Sequence, residues 1–380
     1  MEPKRSIAIR QQALLRAAIS LVLLAPCYWQ PRLQAGDISS HIYKSWLAHE
    51  VESGRTQGVM TVKQTTSVLF DLMLSGLFGF FGAEGAQRIA VSIAVLTFVW
   101  GAFAFIRAVS GKRPWHLLPC IAMLAYGWVF HMGFFNFYLS MGMCLWAMSL
   151  AWSMAPHRIA IAAGLLALAY VAHALPVVWA SGLLGYYILA NRISPEHRGR
   201  LSAMFLLVMA AFHFAVGRVS VGSWPITILT DNGVADQLFV FNAKYFLILA
   251  GLLIVWALLF LTLVRSSGAR QVVGSLPFHM CVLGAAAVLL LPGTVLIPGF
   301  TTALSFVAER MSLGVAVCVC ALLGGVQPRA AERYALIALA IVFFGFVYRD
   351  ERALNAFEDR MQDIISVVHV EKAVTSGFVR

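Results

Sequence analysis

Asp37 and His41 stand one helical turn apart in the stretch Gly36–Gly54, GDISSHIYKSWLAHEVESG, which also carries Lys44, His49, Glu50 and Glu52. At 3.6 residues per turn, Asp37, His41 and Lys44 gather on one polar face, with Glu52 at its far end. Ile38, Ile42, Trp46 and His49 share the neighbouring face. This is an amphipathic helix that aims an acid and an imidazole at whatever occupies a membrane interface, or else a plain interfacial anchor with solvated charges. Three later stretches carry further candidates. In FHMGFFNFYLSMG, His131, Gly133 and Asn136 sit among aromatic residues. Such a turn could grip a sugar or an isoprenoid, but an aromatic belt is equally expected at a membrane interface. In AHALPVV, His173 and Pro176 close a tight turn, where a structural histidine is the plainer reading. In SFVAERMSLG, Glu309 and Arg310 are either a mutually neutralised pair or a phosphate grip, because the planar guanidinium fork matches a phosphate.

The elements that must position these groups are membrane helices. Of 380 residues, 60% are hydrophobic and 12% charged, and the mean hydropathy is +0.81. That composition excludes an ordinary soluble domain and predicts an all-α, polytopic helical membrane protein. A span needs about 20 apolar residues. Candidates fall near 13–29, 86–108, 115–131, 136–154, 158–173, 176–191, 201–217, 244–264, 279–297, 304–325 and 333–348, about eleven in all. Lys4, Arg5 and Arg10 before Ala13–Trp29 resemble a signal peptide. No clear small-residue cleavage site follows, so an uncleaved first span is expected. All six cysteines lie in apolar segments and read as packing residues rather than a disulfide or metal framework.

Charge asymmetry orients the spans. The net charge of +11 is not a nucleic-acid signal, because its distribution along the chain matters more. Lys4/Arg5/Arg10, Arg107/Lys112/Arg113, Arg158, Arg192/Arg198/Arg200, Arg265/Arg270 and Arg329/Arg333 all fall on one side if 67–82 does not span. The positive-inside rule then makes the N-terminus cytoplasmic. The stretch 67–82 becomes a juxtamembrane or re-entrant helix, with Asp71 against the interface or the protein interior. Residues 1–348 form the integral-membrane domain, with a first outer loop 30–85 holding amphipathic helices at 37–53 and 67–82. Residues 349–380 form an outer-surface tail, amphipathic through Leu354, Phe357, Met361, Ile364 or Ile365 and Val368.

With this topology His116, His157, His197 and His279 mark cytoplasmic boundaries. His41, His131, His173 and His213 mark the opposite side, together with Asp37, Asn136, Arg218, Glu309 and Arg310. His49 and His369 lie in surface segments on that side, where solvation explains them. Ionisable groups at membrane depth are costly and tend to face a cavity, so chemistry is expected on the non-cytoplasmic face. The loop 219–244, with Trp224-Pro225 and Thr230-Asp231-Asn232-Gly233, is either a lid or plain turn chemistry. There is no Walker loop, dinucleotide glycine fingerprint, HExxH or GxSxG, so no nucleotide cofactor is expected. A substrate must come from the membrane or the outer compartment.

The order of features resembles the GT-C superfamily of membrane glycosyltransferases, which includes protein O-mannosyltransferase-like and lipid A aminoarabinose-transferase-like enzymes. The residues that carry the resemblance are Gly36-Asp37, the helix to Gly54, Ser67–Phe81 ending in Gly82, and Ala86-Gln87-Arg88-Ile89, within the first 110 or so. The resemblance implies transfer of a sugar from a polyprenyl-phosphate donor with inversion. It implies Asp37 as general base or metal partner, and Arg310 or Arg218 on the donor phosphate with His41, His131 or His173 nearby. Two departures are plain. Ile38 stands where a second acid would follow Asp37, and Lys63-Gln64-Thr65-Thr66 replaces an acid-Lys-Pro-Pro motif. A divalent cation is therefore left open, alongside a metal-independent variant.

Three functions stay in view. One is such a transferase in the plasma membrane, its site facing the periplasm or exterior. Another is a non-catalytic relative that binds a lipid-linked glycan in envelope polysaccharide assembly. The third is a transporter or flippase, disfavoured because the charges cluster at one face rather than along a midplane path.

Overall fold

A computed structural model describes residues 2–55, 64–219, 237–290, 294–295 and 304–367. In chain order the helices are α1 (Glu2–Leu24), α2 (Ile38–Glu52), α3 (Leu69–Ser110), α4 (Leu118–Ala125), α5 (Trp128–His131), α6 (Phe135–Ala151), α7 (Pro156–Ala172), α8 (Ala174–Ala190), α9 (Arg198–Val219), α10 (Phe246–Ser267), α11 (Ala269–Val273), α12 (Leu276–Leu290), α13 (Val307–Leu323) and α14 (Ala330–Val367). Two short strands, β1 (Thr294–Val295) and β2 (Leu304–Ser305), pair antiparallel between α12 and α13. The rest of the described chain is helical or irregular.

Among the described residues, four helices are long and apolar enough to cross a membrane: 69–110, 195–215, 243–267 and 330–366. Four more apolar helices, α6, α7, α8 and α12, are shorter. The surface has the reversed polarity that lipid contact demands. Leu207, Val208, Phe212 and Phe214 on α9 and Leu247 and Ile254 on α10 are all exposed. Contiguous apolar surface on this scale would aggregate in water and is stable against hydrocarbon.

The interior is built around α6, whose residues from Phe135 to Leu145 are all buried. Its neighbours are α3, α7 and α8. A helix with every face covered can be apolar all round, and FNFYLSMGMCLWAMSLA is nearly so. The α3 crossing is close because two glycines meet there. A Cβ on Gly101 would stand 2.5 Å from the Gly142 carbonyl oxygen, and one on Gly142 would stand 2.8 Å from the Phe98 nitrogen. Small residues are how membrane helices approach closely enough to gain dispersion contacts.

Helix α3 breaks at Gly82 (φ 67°, ψ −179°) into two limbs. The first limb packs through Phe70 and Leu74 and exposes Leu72, Phe80 and Phe81. The two limbs correspond to the stretch 67–82 and the apolar segment 86–108, with no loop between them.

At α2 the structure changes the face expected from periodicity. The buried residues are Ile38, His41 and Ser45, while Trp46 is exposed. The helix turns its small polar groups toward the protein and its aromatic groups outward. The same inversion recurs in α14, where the segment 333–348 and the tail form one helix. Leu354, Phe357, Met361, Ile364 and Ile365 are exposed, while Glu351 and Asn355 are buried.

Gly142→Ala is expected to cost roughly 1–3 kcal/mol, because the added methyl meets backbone rather than a movable side chain. Gly164 on α7 faces open space, with nothing within 4 Å of where a methyl would stand. Gly164→Ala is therefore expected to leave the melting temperature in detergent unchanged or slightly raised. Equal melting temperatures for the two variants would refute the close crossing.

Candidate functional site

The turn between α5 and α6, His131 to Asn136, is where the sequence candidates meet. Its centre is Gly133 at φ +78°. A Cβ there would stand 2.5 Å from the Asp37 nitrogen and 3.1 Å from the Asp37 Cβ. Only glycine serves at this position, both for its left-handed backbone and for the missing methyl. The space is used to strap down the segment before α2. The Gly36 N–H donates to the His131 carbonyl (2.7 Å), and the Asp37 N–H donates to the Met132 carbonyl (3.0 Å). Asp37 precedes the first turn of α2 but its side chain makes no capping hydrogen bond. The residue is exposed.

The next residue of the turn carries an arginine. The Arg310 guanidinium carbon lies 3.6 Å from the centroid of the Phe134 ring, a cation–π contact of the kind that desolvation strengthens. Arg310 Nε is buried with no hydrogen-bond partner among the described residues, and so is Glu309 Oε2. Of the carboxylates whose charge reaches Arg310, Asp37 comes first and Glu309 second. Neither forms an ion pair with it among the described residues. The positive charge is thus held beside an aromatic face without being neutralised by contact among the described residues.

His41 does not pair with Asp37. Its Nδ1–H donates to Asp71 Oδ1 at 2.6 Å, and its ring packs edge-on to Phe70 at 5.4 Å. Asp71 is gripped from a second side, since Asn136 Nδ2 donates to its Oδ2 (2.9 Å) and to the Ser67 carbonyl (3.0 Å). Asn136 Oδ1 accepts the Phe70 N–H at 2.8 Å. One asparagine therefore uses both ends of its amide to fix the start of α3, and His41 closes the node from α2.

His131 faces the other way. Its Nε2 is 3.2 Å from Glu351 Oε1, and both side chains are nearly sealed, at 4% and 1% exposed. Its Nδ1–H donates to the Gly127 carbonyl at 3.2 Å, and Trp29 Nε1–H donates to the second Glu351 oxygen. His173 caps α8, its Nδ1 accepting the Leu175 N–H at 3.2 Å, while its carbonyl accepts the Ser140 hydroxyl at 2.8 Å. It sits within reach of the Arg310 charge. His213 donates from Nδ1 to the Leu290 carbonyl, 2.6 Å away. Arg218 falls on the last turn of α9, and its side chain lies outside the described residues. So do Trp224-Pro225, Thr230–Gly233, Val368 and His369.

A cavity of about 550 Å³ opens beside the strap, lined by Gly36, Ile38, Glu84, Arg88, His131 and Glu358 among others. Its arginines are already committed. Arg88 donates to the Cys27, Gln30 and Pro31 carbonyls. Arg32 pairs with Glu358 at 2.7 Å and with Asp359, and its backbone N–H donates to Asn355 Oδ1 at 2.9 Å. Among the described residues no three His, Cys, Asp or Glu side chains group closely enough to hold a metal ion.

Of the residues expected from sequence, the structure gathers Asp37, His131, Asn136, Glu309 and Arg310 around one turn, with His173 adjacent. It pairs His41 not with Asp37 but with Asp71, which Asn136 of the same turn also holds. Glu351 and Asn355 were not among the expected residues. Their signal is a polar stripe, Glu351, Asn355, Glu358 and Gln362, at helical spacing opposite the apolar one.

Asn136→Leu leaves the Phe70 amide and one Asp71 oxygen without a partner, each costing about 1–3 kcal/mol when buried. The variant is expected to melt well below wild type in detergent, while His49→Ala, at an exposed position, melts with wild type. No family model matches the chain, and no curated protein or solved structure matches it significantly.

Proposed function

We propose that this chain is a multi-pass membrane glycosyltransferase of the GT-C kind, taking a sugar from a polyprenyl-phosphate-linked donor. On this reading its apolar segments form about eleven spans in the plasma membrane, the N-terminus is cytoplasmic, and the Asp37 end of the bundle faces the exterior or periplasm. The observation that carries the reading is Arg310. A guanidinium held over Phe134 with an unbonded Nε is costly unless an anion completes it. A donor phosphate has the charge, and two of its oxygens have the spacing, to accept from the planar guanidinium fork.

Asp37 supplies the second half. An exposed carboxylate with no side-chain capping bond is free to accept a proton from an acceptor hydroxyl brought within hydrogen-bond reach. The Asp37 N–H and that of Gly36 each donate to the turn, so the Asp37 backbone is fixed while its side chain makes no capping bond. The neighbouring cavity is of the size that small-molecule sites usually have, roughly 300–1,000 Å³, and its lining mixes apolar groups with Gln34, Ser39, Gln87 and Gln362, though neither Asp37 nor Arg310 lines it.

A second reading is a non-catalytic protein that binds the same lipid-linked glycan. One observation favours it: His41 is engaged by Asp71 and so is not paired with Asp37.

The two are separated by offering radiolabelled polyprenyl-phosphate sugars to the purified protein. Transfer is expected, with Asp37→Asn slower by about 10²-fold or more, the usual worth of a general base, and Arg310→Gln weaker in donor binding. Transfer that survives Asp37→Asn undiminished removes the catalytic role. Donor binding without turnover in wild type selects the second reading.

A further inference from the structure

At the other end of α3, away from Asp37, three arginines converge on a second cavity. It has a volume of about 410 Å³ and is lined by Arg16 of α1, Arg107 of α3 and Arg158 of α7, with Trp100, Phe103 and Trp146 among its walls. Among the described residues no acidic side chain lines it. None of the three guanidinium groups, all on exposed residues, makes a hydrogen bond or ion pair among the described residues, in contrast to Arg32 and Arg88, each of which makes three. The walls are fixed in advance. Trp100 Nε1–H donates to Ser20 Oγ at 3.0 Å, and Trp146 Nε1–H donates to the Thr97 carbonyl at 3.2 Å. Trp100 and Phe103 meet edge to face at 5.6 Å.

We propose that this cavity binds the phosphate headgroup of an anionic membrane lipid. Three unpaired cations around one concavity call for an anion with several oxygens, and guanidinium groups bind phosphate in fork geometry.

The depth favours a lipid over a soluble anion. At a helical rise of about 1.5 Å per residue, Arg107 lies about 29 Å along α3 from Arg88. That is close to the roughly 30 Å thickness of a bilayer's hydrocarbon core. Arg88, pinned to the loop after α1, marks one polar boundary, and the arginine cavity falls at the opposite one, where headgroups lie. Leu21 and Val22, 72% and 75% exposed, lie toward the Arg88 end from Arg16 and offer acyl chains an apolar track running inward from the headgroup. The indole rings suit the same level, since tryptophan is enriched at membrane–water boundaries.

The site is independent of sugar transfer, so it can be tested without any turnover assay. The full chain, delipidated in neutral detergent, is titrated with phosphatidylglycerol, phosphatidylcholine or inorganic phosphate, and bound lipid is counted by native mass spectrometry. Phosphatidylglycerol is expected to bind about tenfold tighter than phosphatidylcholine. The double variant Arg107→Gln/Arg158→Gln is expected to lose that preference. Arg113→Gln, exposed at the same end but outside the cavity lining, is expected to keep it. Equal binding of the two lipids to wild type overturns the proposal with no variant needed. A double variant that keeps the tenfold preference overturns it as well. Displacement of the lipid by millimolar inorganic phosphate would instead identify a site for free anions.

Discussion

The contact between the Asp37 amide and the Met132 carbonyl, made possible by the bare Cα of Gly133, is the constraint on which the rest of this end of the molecule depends. Only there can the loop after α1 come within hydrogen-bond distance of the α5–α6 turn. Once it does, every residue of the turn acquires a long-range partner. His131 reaches α14, Phe134 reaches α13, Phe135 stacks on Phe70 at 4.9 Å, and Asn136 fixes the start of α3. One short turn thus ties together elements from both halves of the chain. Because the turn leads directly into α6, the most buried helix, it inherits the rigidity of the core. A site mounted this way can hold an unpaired charge in place, which a free loop could not.

Much of this was legible in the chain. Composition and apolar segment lengths predict a helical membrane protein, and the helices bear that coarse class out. The turn FHMGFFNFYLSMG attracts attention because polar residues stand in an aromatic run. Two things were not legible, for one physical reason. Periodicity assigns residues to faces, but it cannot say which face meets protein and which meets lipid. In water the apolar face goes in. In a membrane the lipid is as apolar as the core, so polar groups that can pair are the ones drawn inward. That is why α2 buries His41 and Ser45 and exposes Trp46, and why α14 buries Glu351 and Asn355.

The partners themselves were hidden by distance along the chain. Asp71 is the single acid in the stretch 67–82, which by itself marks it as a paired group, since a lone carboxylate at that depth is expensive. Nothing local names its partners, which come from His41 on one side and Asn136 on the other. Glu351 is harder still. It stands in the run Arg349-Asp350-Glu351-Arg352, where four charges in succession suggest solvated surface. In the fold that run divides, with Asp350 accepting from the Tyr245 hydroxyl at 2.8 Å and pairing with Lys244. Glu351 points the opposite way, to His131 and Trp29.

The arginines divide along the same line, and the division separates structure from function. Arg88 makes hydrogen bonds to three backbone carbonyls and Arg32 to two carboxylates and a carbonyl, so each is anchored by the protein itself. A guanidinium has five donors in a fixed plane, and in a low-dielectric setting leaving them unused costs more than in water. Arg310 at one end, and Arg16, Arg107 and Arg158 at the other, leave theirs unclaimed by the described residues. Helical hydrogen bonding occupies the backbone of the apolar elements around them, so that backbone has few free carbonyls with which to claim them. For Arg310 this cost falls on a buried, unbonded Nε, whereas Arg16, Arg107 and Arg158 are exposed and are set apart by converging on one concavity with no acid among the described residues of its lining. Under the two proposals made above, each end of the bundle takes a phosphate-bearing ligand. The two differ in what stands across from the charge: an unoccupied acid at Asp37, and aromatic walls alone at Trp100 and Trp146. Only the first arrangement has a group that can take a proton.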